Sequence, residues 1–357
     1  MKKTKLLGSI TAFLFVIVSI GAQLAMAQTG VIGFEDACWL RAFAMRGDGT
    51  GRVVLPLPPP VGTVQWGKQV YDVTTSGPVT VLLTGLFAIQ VNDIGGMLTP
   101  DPAGPVNLRF ADTTGLPPNI NNASANLSPT GDRVAFYTDG VVVIADLARD
   151  ASEKIIGFTN ANVVANLFAI GSPSDSNATG GYAYTGGLDF SPDGTTLVAS
   201  IYADLWLLHL SADGHTLLSS QPLTRTVGTS EWEAAFSPDG SKIAYTSAVN
   251  RYFKSIAGYA APTDATNIYT LDLSTLRITQ VTTQKSTGGS GSRTSAAWSP
   301  DGLYLTFTAP GALAGRNSTC TAVNYDLFRI KADGTAPATS LTNTTGTGVE
   351  MRGKWGW

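Results

Sequence analysis

The stretch Ala234–Ser247, AAFSPDGSKIAYTS, decides the fold. An apolar pair runs into Ser-Pro-Asp-Gly, and a short segment with apolar residues two apart follows. Pro fixes φ, Asp bonds its own backbone and Gly takes positive φ, so the middle is turn chemistry. The alternating flank reads as a half-buried strand. The phrase recurs as NLSPTG from Asn126, DFSPDG from Asp189 and AWSPDG from Ala297. Its serines are Ser128, Ser191, Ser237 and Ser299, and the strands after them carry Val134/Phe136, Leu197/Ala199, Ile243/Tyr245 and Leu305/Phe307.

Third strands are predicted at Val141–Leu147, Leu205–Leu210, Ile268–Leu273 and Leu327–Ile330. Two of them end in the same turn, Ala212-Asp213-Gly214 and Ala332-Asp333-Gly334. A fourth strand closes each unit, as Arg277–Thr282 does after the third. Four antiparallel strands, repeated with turns between, make the blade of a β-propeller. The serines are unevenly spaced, which suits a ring whose loops vary on one face. No Trp-Asp dipeptide ends the strands, so this is not the WD subclass.

Taken with NIYTLDL at Asn267–Leu273, the phrase resembles the propeller repeat of the TolB family over roughly residues 121–357. The resemblance implies an all-β, six-bladed propeller and a binding role rather than an enzymatic one. The α/β domain that precedes the ring in that family has no counterpart in the pattern, so functions residing there are not implied.

The ends of the chain complete the ring. Leu40–Gly49 (LRAFAMRGDG) aligns with Asp326–Gly334 (DLFRIKADG) as a third strand and its turn, without a first strand before it. Glu350–Trp357 (EMRGKWGW) reads as a first strand with nothing after it. Together they make one blade, a clasp that removes an open edge. Four blades start near Asn121, Tyr184, Glu231 and Ser295. A degraded one lies in Val61–Thr113, where Val79–Gln90 reads as strand, so the count is six, with seven as the alternative. Cys38 falls in the clasp blade and Cys320 in the blade beside it. Either they form a bridge worth roughly 4–5 kcal/mol by chain entropy, or they are two free thiols.

Lys2, Lys3 and Lys5, the apolar run Leu6–Ala22 and the small residues of Ala25-Met26-Ala27 follow the order of a secretory signal. Cleavage after Ala27 leaves residues 28–357 as one propeller domain, periplasmic or secreted, with no membrane insertion. The chain has 23 Lys+Arg against 26 Asp+Glu, and removing three lysines makes the remainder more acidic. That excludes nucleic acid, which needs a basic surface. Charged residues are only 14% of the chain, below the usual quarter, and Gly, Thr, Ser and Asn fill the gap as short strands and turns require. A closed ring is expected to be a monomer.

Antiparallel strands place every SPDG and ADG turn on one face. The long connections, Asn160–Tyr184, Ala248–Thr266, Gln284–Thr294 and Ala309–Tyr325, fall on the other. Binding residues concentrate on long loops held by a rigid scaffold. The expected partner surface is that face and its channel mouth: Gln65, Trp66, Asn122, Tyr184, Glu231, Trp232, Glu233, Arg293, Arg352 and Lys354, with Tyr252, Phe253 and Tyr259 as aromatic contacts. The expected partner is a protein or peptide of the cell envelope. The alternative is a glycan-binding or glycan-active ring using Glu231 and Glu233, which, two apart on one strand, point the same way.

Catalytic chemistry is sparse. The two histidines, His209 and His215, form no metal cluster. His209 reads as a solvated strand residue, and His215 follows a tight turn away from the long loops. There is no G-x-S-x-G elbow. GGSG at 288–291 does not join a strand to a helix, so it cradles no phosphate. Asp193, Asp239 and Asp301 stand one per blade, and turn structure accounts for them. No catalytic residue, metal or cofactor is expected.

Overall fold

The computed structural model describes residues 30–36, 41–56, 70–74, 79–83, 86–94, 97–120, 123–171, 186–225, 229–249, 266–283, 294–310, 325–342 and 350–356. Their strands form six sheets. Blade 1 orders β25 (Glu350–Gly356), β1 (Val31–Asp36), β2 (Arg41–Arg46) and β3 (Val53–Leu55). Blade 2 orders β4 (Val70–Thr74), β5 (Thr80–Leu83), β6 (Phe87–Ile94) and β7 (Met97–Pro100), with β8 (Val106–Asn107) also on β6. Blade 3 comprises β9 (Ser124–Leu127), β10 (Arg133–Thr138), β11 (Val141–Arg149) and β12 (Ile155–Asn166), followed by the one-turn helix α1 (Leu167–Ile170). Blade 4 comprises β13 (Gly186–Phe190), β14 (Thr196–Ile201), β15 (Asp204–Leu210) and β16 (Leu217–Pro222). Blade 5 comprises β17 (Thr229–Phe236), β18 (Lys242–Val249), β19 (Asn267–Asp272) and β20 (Ile278–Gln280). Blade 6 comprises β21 (Thr294–Trp298), β22 (Tyr304–Pro310), β23 (Tyr325–Lys331) and β24 (Thr339–Ser340).

The inner strands touch in sequence, β4 to β9, β13, β17, β21 and β25, and β25 touches β4. The circle therefore has six members, and the seven-bladed alternative falls. β25 pairs antiparallel with β1, in the register Val31↔Gly356, Ile32↔Trp355 and Asp36↔Glu350. Trp355 is buried in that sheet, while Trp357, Cys38 and Cys320 lie outside the described residues.

Side-chain alternation explains why six sheets stack into a wheel. In β14, Leu197, Ala199 and Ile201 pack toward blade 3, while Val198 packs toward blade 5. In blade 1, Ala42 and Ala44 meet blade 2, whereas Phe43 and Met45 meet blade 6. Each of the six apolar clusters is shared by two neighbouring blades. Both sheet faces are thus dry, and period-2 strands with two apolar faces follow.

The repeated phrase closes its own turn. Ser237 Oγ donates to Asp239 Oδ1 at 2.6 Å and accepts from Lys242 N at 2.9 Å. Ser191 and Ser299 do the same with Asp193 and Thr196, and with Asp301 and Tyr304. Gly131, Gly194, Gly240 and Gly302 all take φ between 68° and 71° there. In the SPTG variant, Asp132 replaces the missing turn carboxylate and accepts from Ser128 Oγ at 2.8 Å. A second repeat sits on the opposite face. Thr224, Thr282 and Thr342 each accept the backbone N–H of a third-strand residue, Leu205, Ile268 and Leu327.

Two expectations change. Val79–Gln90 is not one strand: Leu86, at φ 61°, lies in the turn between β5 and β6. The long connection expected at Asn160–Tyr184 begins only after residue 170, because β12 runs on to Asn166 and α1 follows. Bulges in β12 absorb the mismatch, including Asn160 at φ 48°.

Candidate functional site: the central channel and its mouth

The residue two before each turn serine, and its counterparts in the two blades without that phrase, form a ring of six around the axis. In blade order these are Lys354, Asp72, Asn126, Asp189, Ala235 and Ala297. The next residue in each, Trp355, Val73, Leu127, Phe190, Phe236 or Trp298, turns into a blade interface and is buried. Asp72 Oδ2 accepts from Leu127 N at 2.8 Å, and Asp189 Oδ2 accepts from Phe236 N at 2.7 Å. Each carboxylate therefore ties its blade to the next. Trp298 makes a comparable tie by donating from Nε1 to Ala235 O at 3.0 Å.

At the end of the tight turns, Lys354, Asp72, Asp189, Ala235 and Ala297 line a partly open cavity of about 50 Å³, together with Ser128, Pro129 and Ala296. A single water occupies roughly 10–15 Å³ on this measure, so the space suits a few waters and no peptide. One side of the ring is polar and the other is alanine. Burial raises both carboxyl pKa values. Lys354 opposes that rise, and Asp72 adds to it at Asp189, which reaches about 7. Asp189 thus changes charge near neutrality inside this vestibule.

Toward the long-connection face, the inner strands bulge. The register of β17 on β18 shifts between Trp232 and Ala235, and Glu233 takes φ 53°. β13 shifts between Gly186 and Leu188, with Gly187 at φ 65°. β25 shifts between Met351 and Lys354, so Arg352 occupies the same place in blade 1 that Glu233 occupies in blade 5. Bulges beside a channel re-aim side chains. This one also breaks the alternation that would have set Glu231 and Glu233 on one face. Glu231 is 2% exposed and accepts from Thr224 Oγ1 and Thr229 Oγ1, so it sits in the ring wall rather than on the rim. Trp232 and Glu233 are partly exposed at the bulge. Lys354 lies deeper, at the tight-turn end. Gln65, Trp66, Asn122, Tyr184, Arg293, Tyr252, Phe253 and Tyr259 lie outside the described residues. Asp72, Asn126 and Asp189 were missed as channel residues, although the position before each buried apolar residue was the signal for them.

The remaining chemistry follows the turn reading. Asp193 and Asp239 are held below the usual carboxylate range, first by Ser191 and Ser237 respectively. His209 Nδ1 lies 3.3 Å from Thr196 Oγ1 on its own sheet. His215 Nε2 meets Asp146 Oδ1 at 2.9 Å across blades 3 and 4. Among the described residues there is no metal-holding cluster of His, Cys, Asp and Glu, and no helix long and apolar enough to cross a membrane.

No family model matches the chain, and no curated protein matches it by sequence. Solved structures with a similar fold include a protein assigned as TolB from Agrobacterium tumefaciens, at 14% identity and TM-score 0.48, covering 90% of this chain and 91% of that one. A luciferin-regenerating enzyme is similar at 14% identity and TM-score 0.45, covering 93% of each. Regucalcin from Agrobacterium tumefaciens, a calcium-binding protein, is similar at 12% identity and TM-score 0.45, covering 86% of this chain and 88% of that one. An assigned TolB ring, an enzyme and a calcium binder thus stand side by side, and at these values the likenesses carry no functional argument. The six-bladed ring rests on its own strand pairing.

Proposed function

We propose that this chain is an exported binding propeller that captures a protein or peptide of the cell envelope at its long-connection face. The observation that carries the reading is the narrow cavity at the tight-turn end, where Asp72, Asp189 and Lys354 leave only about 50 Å³. A peptide does not fit into that space. The strand ends at Val249 and Asn267, Gln280 and Thr294, Pro310 and Tyr325, and Ser340 and Glu350 all open on the opposite face, around blades 5 and 6. Long loops on a rigid ring are where binding residues gather. The first 27 residues, with the order of a secretory signal, support export.

Trp232, Glu233 and Arg352 are the contacts to test, with Tyr252, Phe253 and Tyr259. Glu231 is a wall residue and is left out. The experiment is a pull-down from envelope extracts with the native ring and with a Trp232→Ala, Glu233→Lys, Arg352→Glu variant. Loss of the captured partner at unchanged thermal unfolding is expected. Undiminished capture by the variant would sink the assigned surface.

A further inference from the structure

On the same face, but on blades 3 and 4, two aromatic rings lie over glycine backbone. Phe168, on α1, is 48% exposed. It rests on Gly140, where an added Cβ would come 2.2 Å from the Phe168 ring. Tyr202 rests on Gly171, where an added Cβ would come 2.8 Å from the Tyr202 ring. The two ring centroids are 6.1 Å apart and tilted by 46°. Asn166 caps α1 by accepting from Phe168 N at 3.0 Å, which fixes the helix that carries the ring.

The turns beneath this pair take positive φ. Asp139-Gly140 has φ 49° and 81°, and Tyr202-Ala203 has φ 50° and 73°. Two successive positive φ values define a type I′ hairpin turn, which favours Asn-Gly or Asp-Gly. Asp139-Gly140 obeys that preference. Tyr-Ala does not, and such outliers concentrate where a side chain is held for use. At Asp139, the residue before Gly140 on which Phe168 rests, Asn119 Nδ2 donates to Asp139 Oδ2 at 3.1 Å, and both residues are exposed.

We infer that Phe168, Tyr202, Asn119 and Asp139 form a saccharide subsite. A pyranose has an apolar C–H face that stacks on an aromatic ring and vicinal hydroxyls that need a paired acceptor and donor. The Phe168 face supplies the first, and the Asp139–Asn119 pair supplies the second. The exposed Asp139 carboxylate at the subsite repels an anion, so the subsite suits a neutral ligand rather than an anionic one. It is separate from the capture surface on blades 5 and 6 and stands or falls independently of it.

The test is saturation-transfer NMR of the full chain with chitotetraose, cellotetraose and maltotetraose, and with a lysine-rich peptide as the competing ligand class. At least one oligosaccharide should receive saturation on its axial ring protons. Phe168→Ala should weaken that binding about tenfold, equivalent to about 1.4 kcal/mol. Phe168→Trp should retain it, and Asp139→Asn, which keeps the turn preference but removes the charge, should weaken it without altering thermal unfolding. Silence from all three sugars, binding of the peptide alone, or sugar binding that survives Phe168→Ala would each overturn the assignment.

Discussion

The two faces of the ring solve the problem of turning a strand in opposite ways. On one face, Ser, Asp and Gly inside each SPDG phrase satisfy the turn locally, and glycine takes the positive φ. On the other, strands reverse through Asp139-Gly140 and Tyr202-Ala203, or leave into long connections, and residues other than glycine hold positive φ at Asp139, Tyr202, Ala203 and Glu233. Glu153 and Leu276, in third-to-fourth turns of the first face, also hold positive φ, at 60° and 56°, so the contrast lies between the SPDG turns, where glycine takes that conformation, and the second-to-third turn at Tyr202-Ala203, where no glycine does.

The contrast can be broken most severely by attacking what both faces share. Trp355 is 5% exposed and fills the interface of blades 6 and 1 with Ile32, Phe34, Met45 and Leu327. Trp355→Ala should cost about 3–5 kcal/mol in chemical denaturation. A loss below about 1 kcal/mol would mean that β25 contributes little to the ring.

The next effect lies in the vestibule at the tight-turn end. Asp189 has a folded pKa of about 7, above its unfolded value of about 3.9. The native state therefore binds more protons than the unfolded one across that interval. The Asp189 contribution to stability should be full below about pH 4, fall by about 4 kcal/mol as pH rises to about 7, and level off above that. Asp189→Asn, measured by urea titration across this range, should flatten the slope and be more stable than the native chain at alkaline pH. Lys354→Met should steepen the native slope, because Lys354 opposes the rise at both carboxyls. An unchanged slope in Asp189→Asn would place the titrating group elsewhere.

The smallest effects sharpen the comparison of faces directly. Gly240 takes φ 70°, and an added Cβ there meets nothing closer than 3.4 Å, so Gly240→Ala suffers backbone strain alone. It should lose about 1–2 kcal/mol. Ala203, at φ 73° on the other face, should gain about 0.5–1 kcal/mol on becoming glycine. Equal signs in the two thermal-unfolding shifts would dissolve the contrast.

Much of the ring was legible because its physics is local. The SPDG turn is written in four adjacent residues, and apolar alternation announced the strand after each one. Ser191, Ser237 and Ser299 bond their turns as the phrase implies. Blade 2 was read less well, since it lacks the phrase and its hairpin turns at Leu86 in an αL conformation that sequence does not advertise. The channel was legible only in part. Lys354 was picked out by its charge, but the channel position of Asp72 and Asp189 emerges only when three-dimensional stacking brings six inner strands together. Glu231 was misplaced for the opposite reason. Period-2 logic put it beside Glu233, and a bulge that depends on tertiary packing separated them.

The whole account depends on the chain's last described strand lying between the first strand and the channel. Backbone NOEs between residues 31–36 and 350–356 test this most directly. Cross-strand contacts in the register Val31 with Gly356, Ile32 with Trp355 and Asp36 with Glu350 are expected. Their absence in a folded sample, or pairing of residues 350–356 with any strand other than Val31–Asp36, would contradict the ring as described.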